Sequence, residues 1–322
     1  MNPIRPQTLD QYVGQQTAKK ILGVLIAAAK KRNEPVPHLL MSGPAGLGKT
    51  TLSRIVANEM GGRLIEVLAS AVKSPAEIAE RLMGLRERDI LFIDEIHALG
   101  RACEEQLYSA MEDGTVAMSQ RNYDQLMKQI GIRTSGGDSK SMHRLPRFTL
   151  IGASTMIGKC SAPLRSRFAQ VLELEPYTIE ELQMIVTTTA RKLQFDLPQD
   201  VAREIAVRSR STARVAVGHV TWYQAYILAD GEVPTMEALH AAFRLKGIDS
   251  SGLTRSDRQY LACLAESEEP LGLDTVAATL AESTETLEQG IEPFLLRQGM
   301  IQRTARGRVV TARGRQALAE VA

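Results

Sequence analysis

The stretch Ser42-Gly43-Pro44-Ala45-Gly46-Leu47-Gly48-Lys49-Thr50-Thr51 constrains this chain more than any other. It fits the spacing G-x-x-x-x-G-K-[ST]. A short apolar run, His38 to Met41, precedes it, and a helical pattern begins at Lys49. Strand, loop and helix therefore follow in the order a phosphate-binding loop requires. Glycines let backbone N–H groups turn inward and approach phosphate oxygens closely. The following helix points its positive N-terminal end at the same oxygens. Gly46 and Gly48 shape the cradle, Lys49 carries a charge toward the β- and γ-phosphates, and Thr50, with Thr51 behind it, supplies a hydroxyl for Mg²⁺. The bland alternative is an ordinary Gly-rich turn.

A chain of 322 residues is long for one core, so two or three domains are expected. Its 44% apolar and 24% charged content is that of a globular protein, and a net charge of +2 says little about partners. Cys103, Cys160 and Cys263 are scattered, with no C-x-x-C pair and no zinc-ligand spacing. A reducing, cytoplasmic setting is the expectation. No apolar run approaches the length of a membrane span, and the first residues lack a signal-peptide core.

Residues 1–12 read as an extended arm and Thr17 to Lys31 as a helix. Strands are expected at about 38–41, 64–68, 90–93, 148–153 and 171–174, with helices between them. The unbroken run Ile90-Leu91-Phe92-Ile93 suits a central parallel strand buried on both faces. Residues 114–147 are polar and read as an irregular functional loop. After Tyr177 the texture becomes helical, at about 179–193, 198–209, 212–229 and 235–246. Three further helices, at about 254–265, 273–280 and 284–298, precede two short strands at 300–303 and 309–312. That is a winged-helix arrangement. The fold class is thus α/β with a parallel sheet, then an all-α part, then a winged helix.

Asp94 and Glu95 end the buried strand, where α/β sheets place ligands. Asp94 is assigned to Mg²⁺ and Glu95 to activating water. His97 reads as a packing or helix-start residue. Ser154 and Thr155 end the next strand and can meet a γ-phosphate. Arg165 and Arg167 follow it, either as solvated charges or as groups that stabilise a transition state from a neighbouring subunit. Arg214 opens a helix and has the same two readings. Arg303, Arg306 and Arg308 lie in a tail without acidic residues, which suits DNA phosphates or is a solvated basic surface.

Together these residues resemble the RuvB family, AAA+ motors of Holliday-junction branch migration. The resemblance rests on Ile4-Arg5-Pro6, Tyr12 to Gln15, the phosphate loop, LFIDEIH (91–97), LYSAMED (107–113), FTLIGAST (148–155), PLRSRF (163–168) and QRTARGR (302–308). It implies an AAA+ core at 1–177, a lid at 178–250 and a DNA-binding winged helix at 251–322. It implies ATP and Mg²⁺ as ligands, a homohexameric ring, and translocation of duplex DNA at Holliday junctions. Residue by residue, it places Arg167 as a trans-acting arginine finger, Thr155 and Arg214 as sensors, and Ile4, Arg5 and Tyr177 around base and sugar. Glu112 and Asp113 fall on the face toward a neighbour's nucleotide, and Arg303 and Arg308 on DNA. Two departures stand out: Ala45 replaces a proline, and 114–147 is longer and more polar than the family's RuvA-docking hairpin. The second argues against docking to a standard RuvA and leaves another junction-binding partner open. A nucleotide-switched AAA+ loader or initiator that binds DNA without processive movement is the alternative function.

Overall fold

In the computed structural model, which describes residues 4–119, 124 and 140–319, helices and strands alternate as far as Glu112. The order is α1 (Gln16–Arg32), β1 (Leu39–Ser42), α2 (Lys49–Met60), β2 (Leu64–Leu68), α3 (Pro75–Met83), β3 (Ile90–Asp94) and α4 (Arg101–Glu112). Then come β4 (Thr115–Ser119), β5 (Lys140–Arg144), β6 (Thr149–Ser154), the short α5 (Ala162–Arg165) and β7 (Gln170–Glu173). A five-stranded parallel sheet has the order β2-β3-β6-β1-β7. Burial explains that order. Every residue of β1 and β6 is buried, as is β3 up to Ile93, so these occupy the centre. Strands β2 and β7 are partly exposed and sit at the edges.

Register aligns the strand ends. Ser42 pairs with Ser154, and Ile93 with Gly152, so chemistry-bearing residues emerge together at one edge of the sheet. Gly152 cannot carry a side chain: a Cβ there would lie 2.9 Å from Ile96 Cδ1 and 3.1 Å from Leu40 Cδ1 and Phe168 Cζ. Leu91, Ile93, Leu107, Leu150 and Leu164 are fully buried in one apolar cluster beside the sheet. Truncating one of them to alanine is worth about 2–5 kcal/mol of stability.

The segment expected to be irregular, 114–147, contains two strands. β4 and β5 pair antiparallel from Thr115↔Arg144 to Ser119↔Lys140. Alternation decides this: Val116 and Met118 turn inward and are buried, and Leu145 continues the apolar seam. The polar composition of the segment hid a period-2 pattern only three positions long. The rest of that expectation, 120–123 and 125–139, lies outside the described residues.

A second compact unit begins at Tyr177. Its helices are α6 (Ile179–Lys192), α7 (Gln199–Val207), α8 (Ala213–Asp230) and α9 (Met236–Leu245), then α10 (Arg255–Ala265) and α11 (Leu273–Leu280). The expected single helix over 284–298 is instead α12 (Thr284–Thr286), a π turn (Leu287–Ile291) and α13 (Glu292–Arg297). Pro293 lacks an N–H and crowds the preceding turn, which widens it. The hairpin β8 (Ile301–Thr304) and β9 (Gly307–Val310) follows, and then α14 (Ala312–Ala319). The second strand thus ends earlier than expected. Ala317 and Leu318 close the small core from a helix that the basic composition concealed. Among the described residues, no helix is long and apolar enough to cross a membrane.

One buried carboxylate organises the winged helix. Glu292 has no exposed surface, yet it accepts from Tyr260 Oη at 2.5 Å, Arg303 Nε at 2.7 Å and Arg308 Nε at 2.8 Å. Burial opposes its charge, but the bonds from Arg308, Tyr260 and Arg303 outweigh that and hold its carboxyl below the usual range. The resulting stability is present above about pH 4.5 and is lost as pH falls through the lowered folded value. Glu292→Gln should cost about 3 kcal/mol, because it strands two guanidiniums beside a packed core. The readout is reduced hydrogen-exchange protection in β8 and β9; unchanged protection would refute the pinning role.

Two histidines, half-buried His38 and buried His219, run the opposite way in proton affinity from a paired cation. Burial pushes His38 down to about 4, and its Nδ1 accepts from Leu150 N at 2.9 Å. Burial, with Lys246 and Arg208 adding repulsion, pushes His219 down to about 3. Both are neutral when folded, and the unfolded chain takes up their protons below about 6.5. Stability is therefore full above that pH and falls by about 1.4 kcal/mol per pH unit per histidine below it. In an NMR titration of the folded protein, neither imidazole should protonate between pH 7 and 5. A midpoint above 6 for either would contradict the assignment.

Candidate nucleotide site and winged-helix surface

The loop between β1 and α2 has the backbone that its glycines permit. Gly46 and Gly48 have φ of 82° and 102°. At Gly48 a Cβ would also sit 2.2 Å from Tyr12 Oη, so a side chain is excluded twice over. Tyr12 is buried and donates to Leu47 O at 2.9 Å, tying the N-terminal arm to the loop. Gln15 continues that tie through paired bonds with the Glu175 backbone, at 2.6 and 3.0 Å. The Lys49 ammonium is nearly buried and donates to the carbonyls of Gly43 and Pro44 at 2.6 and 3.0 Å. A buried cation among carbonyls, at a helix start, fits an anion.

Asp94 ends β3, and its carboxylate accepts from Glu95 N at 3.1 Å. Glu95 then adopts a left-handed conformation, φ 49°, which turns its side chain toward β6. Its Oε2 accepts from Thr155 N at 3.0 Å and Thr155 Oγ1 at 2.9 Å. His97 Nδ1 lies 3.2 Å from the same oxygen and 2.9 Å from Ser154 Oγ. The structure thus joins Glu95 and Thr155, which the sequence placed at two strand ends, through direct bonds, and His97, in the short turn Ile96–Ala98, packs against both ends as well. Adjacency in the Asp94-Glu95-Ile96-His97 run was the available signal: a tight turn returns position 97 to the strand ends. Thr50 and Asp94 present hard oxygen donors of the kind Mg²⁺ takes. Among the described residues there is no cluster of three or more His, Cys, Asp or Glu able to hold a metal on their own. Such a donor set suits an ion shared with phosphate oxygens.

Arg167 lies after α5, with its guanidinium 4.2 Å from the centroid of the Tyr108 ring. Its Nε is 3.1 Å from Glu112 Oε1, and Nη1 donates to Pro163 O at 2.7 Å. Glu112 and Asp113, at the end of α4, are exposed, as is Arg165. In the N-terminal arm Ile4 is half-buried and Arg5 exposed. Tyr177 and Arg214 belong to the second unit. Tyr177 is buried, and its N–H donates to Ser211 O at 3.1 Å. Arg214 is exposed in the first turn of α8, just after two left-handed residues, Arg210 and Ser211.

In the wing, Arg306 is exposed at the hairpin tip. Arg303 is exposed but ion-paired with Glu288 and Glu292, and Arg308 is half-buried against Glu292. The three basic residues therefore differ in how freely they can meet an external anion, a distinction that charge counting does not make.

Three family descriptions match the chain in succession: "Holliday junction DNA helicase RuvB P-loop domain" over residues 4–174, "RuvB AAA lid domain" over 177–221, and "RuvB C-terminal winged helix domain" over 250–319. A Holliday junction branch migration complex subunit RuvB 2 of Synechococcus sp. is 44% identical over 315 residues, covering 96% of this chain and 81% of the relative. The corresponding RuvB subunit of Campylobacter jejuni is 42% identical, covering 98% and 91%. The solved Thermotoga maritima RuvB Holliday junction branch migration motor superposes with a TM-score of 0.85 at 36% identity, over 99% of both chains. With a nucleotide-binding core, a lid and a winged helix each matched in order, the chain belongs to the RuvB family.

Proposed function

We propose that this protein is an ATP-hydrolysing motor that moves duplex DNA and so drives branch migration of Holliday junctions. The observation that carries the reading is the convergence of Lys49, Asp94, Glu95 and Thr155 at one end of the sheet, in a chain similar from end to end to branch-migration subunits. That full-length similarity favours a motor over a nucleotide-switched loader. The parts are a core over 1–177, a lid over 178–250 and a DNA-binding winged helix over 251–322.

The roles follow from the chemistry at each position. Lys49 exchanges its two loop carbonyls for β- and γ-phosphate oxygens. Thr50 and Asp94 would hold Mg²⁺, which would supply charge neutralisation when bound. Glu95 takes a proton from the attacking water, oriented by its bonds from Thr155. By the family resemblance Ile4 and Arg5 take part in binding base and sugar and Thr51 supports the loop, while Tyr177 and Arg214, in the second unit, are assigned to sugar binding and to sensing the phosphates. Arg167, with Glu112 and Asp113 on the same face, completes the site of the next subunit in a homohexamer. The β4–β5 hairpin is the docking element for a junction-binding partner, and the length and polarity of 114–147 set it apart from a hairpin made for a standard RuvA. The setting is cytoplasmic.

Lys49→Ala and Glu95→Gln should each lower ATP turnover at least about a hundredfold. Arg167→Ala should lower it about a thousandfold while nucleotide affinity stays within a few-fold. Mixing Arg167→Ala with Glu95→Gln subunits should restore part of the activity; mixed rings that stay inactive would overturn the finger in trans. The motor itself is tested by migration of a synthetic four-way junction with ATP, and binding without movement would refute it.

On DNA, Arg306→Ala should reduce the slope of log affinity against log salt by about 1. Arg308→Ala should act mainly on wing stability, since its partner is Glu292. An unchanged slope for Arg306→Ala would remove the wing tip from the interface.

A further inference from the structure

One face of α4 carries Glu104, Tyr108 and Glu112, spaced four residues apart, and all three reach the segment that bears Arg167. Glu104 is almost fully buried. Its Oε2 accepts from Tyr108 Oη at 2.8 Å and from Ser161 Oγ at 2.7 Å. Ser161 is the N-cap of α5, accepting from Leu164 N at 3.2 Å. The buried carboxylate thus clamps α4 to the first residue of the turn that ends in Arg167. One helical turn further on, the Tyr108 ring lies under the guanidinium at 4.2 Å. Another turn on, Glu112 meets the same guanidinium at 3.1 Å. Burial and the Glu104 carboxylate raise the Tyr108 hydroxyl above its usual range, the Ser161 bond opposing them, so it remains a donor. An arginine on a short turn has many rotamers; a ring face, a carbonyl and a carboxylate together select one.

We infer that Tyr108, locked by Glu104 and Ser161, is a positioning residue that presents Arg167 to the nucleotide of the neighbouring subunit. This rests on the reading of Arg167 as a finger acting in trans. The hydroxyl of Tyr108 bonds Glu104 and Ser161 and its ring meets Arg167, so its loss is expected to act through that guanidinium, across the subunit boundary. Glu112 holds the guanidinium in the isolated chain, and its exposed carboxylate lets it release the arginine when a neighbour's phosphates compete. The ring remains in place beneath during that exchange.

The test uses full-length protein in rings, with ring formation followed by light scattering. Tyr108→Leu should lower kcat for ATP about tenfold, with KM within about threefold. Tyr108→Phe, which keeps the ring face, should stay within about threefold of the parent. In the Arg167→Ala background, Tyr108→Leu should cause no further loss, because both act through one guanidinium. Mixing Tyr108→Leu with Glu95→Gln subunits should restore activity, since the latter carry an intact finger and the former an intact hydrolytic site. If that mixture stays inactive while Arg167→Ala with Glu95→Gln is rescued, Tyr108 serves its own subunit and the inference falls alone. If neither mixture is rescued, the finger in trans falls and takes the inference with it. Should Tyr108→Leu fail to fold, Glu104→Gln, which leaves the ring and loosens its clamp, enters the same mixing assay with the same two outcomes.

Discussion

Strand β6 is the member on which the rest depends. It pairs in parallel with β1 on one side and β3 on the other, and all six of its residues are buried. A strand covered on both faces has room for polar groups only where it ends. The Ser42↔Ser154 register therefore delivers the phosphate loop and the Ser154-Thr155 end to the same edge, and β3 delivers Asp94 and Glu95 beside them. Gly152 lets side chains from Ile96, Leu40 and Phe168 converge on the strand, which keeps the turns after β1, β3 and β6 close together.

The polar groups at the strand ends are held by local strain and short bonds rather than by bulk. Glu95 sits in a left-handed conformation that costs about 1–3 kcal/mol for a residue with a side chain, offset by the two bonds from Thr155. The same conformation turns the chain so that His97 reaches Glu95 and Ser154. The winged helix uses another device, a buried carboxylate satisfied by one hydroxyl and two guanidiniums. Its two arginines serve the fold as well as the surface, which leaves Arg306 as the wing residue of these three without a described ion pair.

The two devices share a logic with the Glu104–Tyr108–Glu112 face of α4. In each, a carboxylate with little or moderate exposure decides where a neighbouring polar group points. Such carboxylates are retained at a desolvation cost, so the geometry they impose is the gain. The arrangement separates groups that meet solvent from groups that hold them.

Much of the architecture was legible in the residues because it rests on local pattern. The glycine spacing around Lys49 and the largely apolar runs at about 38–41, 90–93 and 148–153 act within a few residues. They determine strand, loop and helix wherever the chain goes. Features that depend on what packs across space were not legible: the inward alternation of Val116 and Met118, the π turn forced before Pro293, the last helix under a basic surface, and the bond of Glu95 to Thr155. For Arg303, Arg306 and Arg308 the sequence determined charge, and only the tertiary structure decided that two of them close on Glu292. Side-chain identity sets what a group can do; the partner it meets, often dozens of residues away, sets what it does.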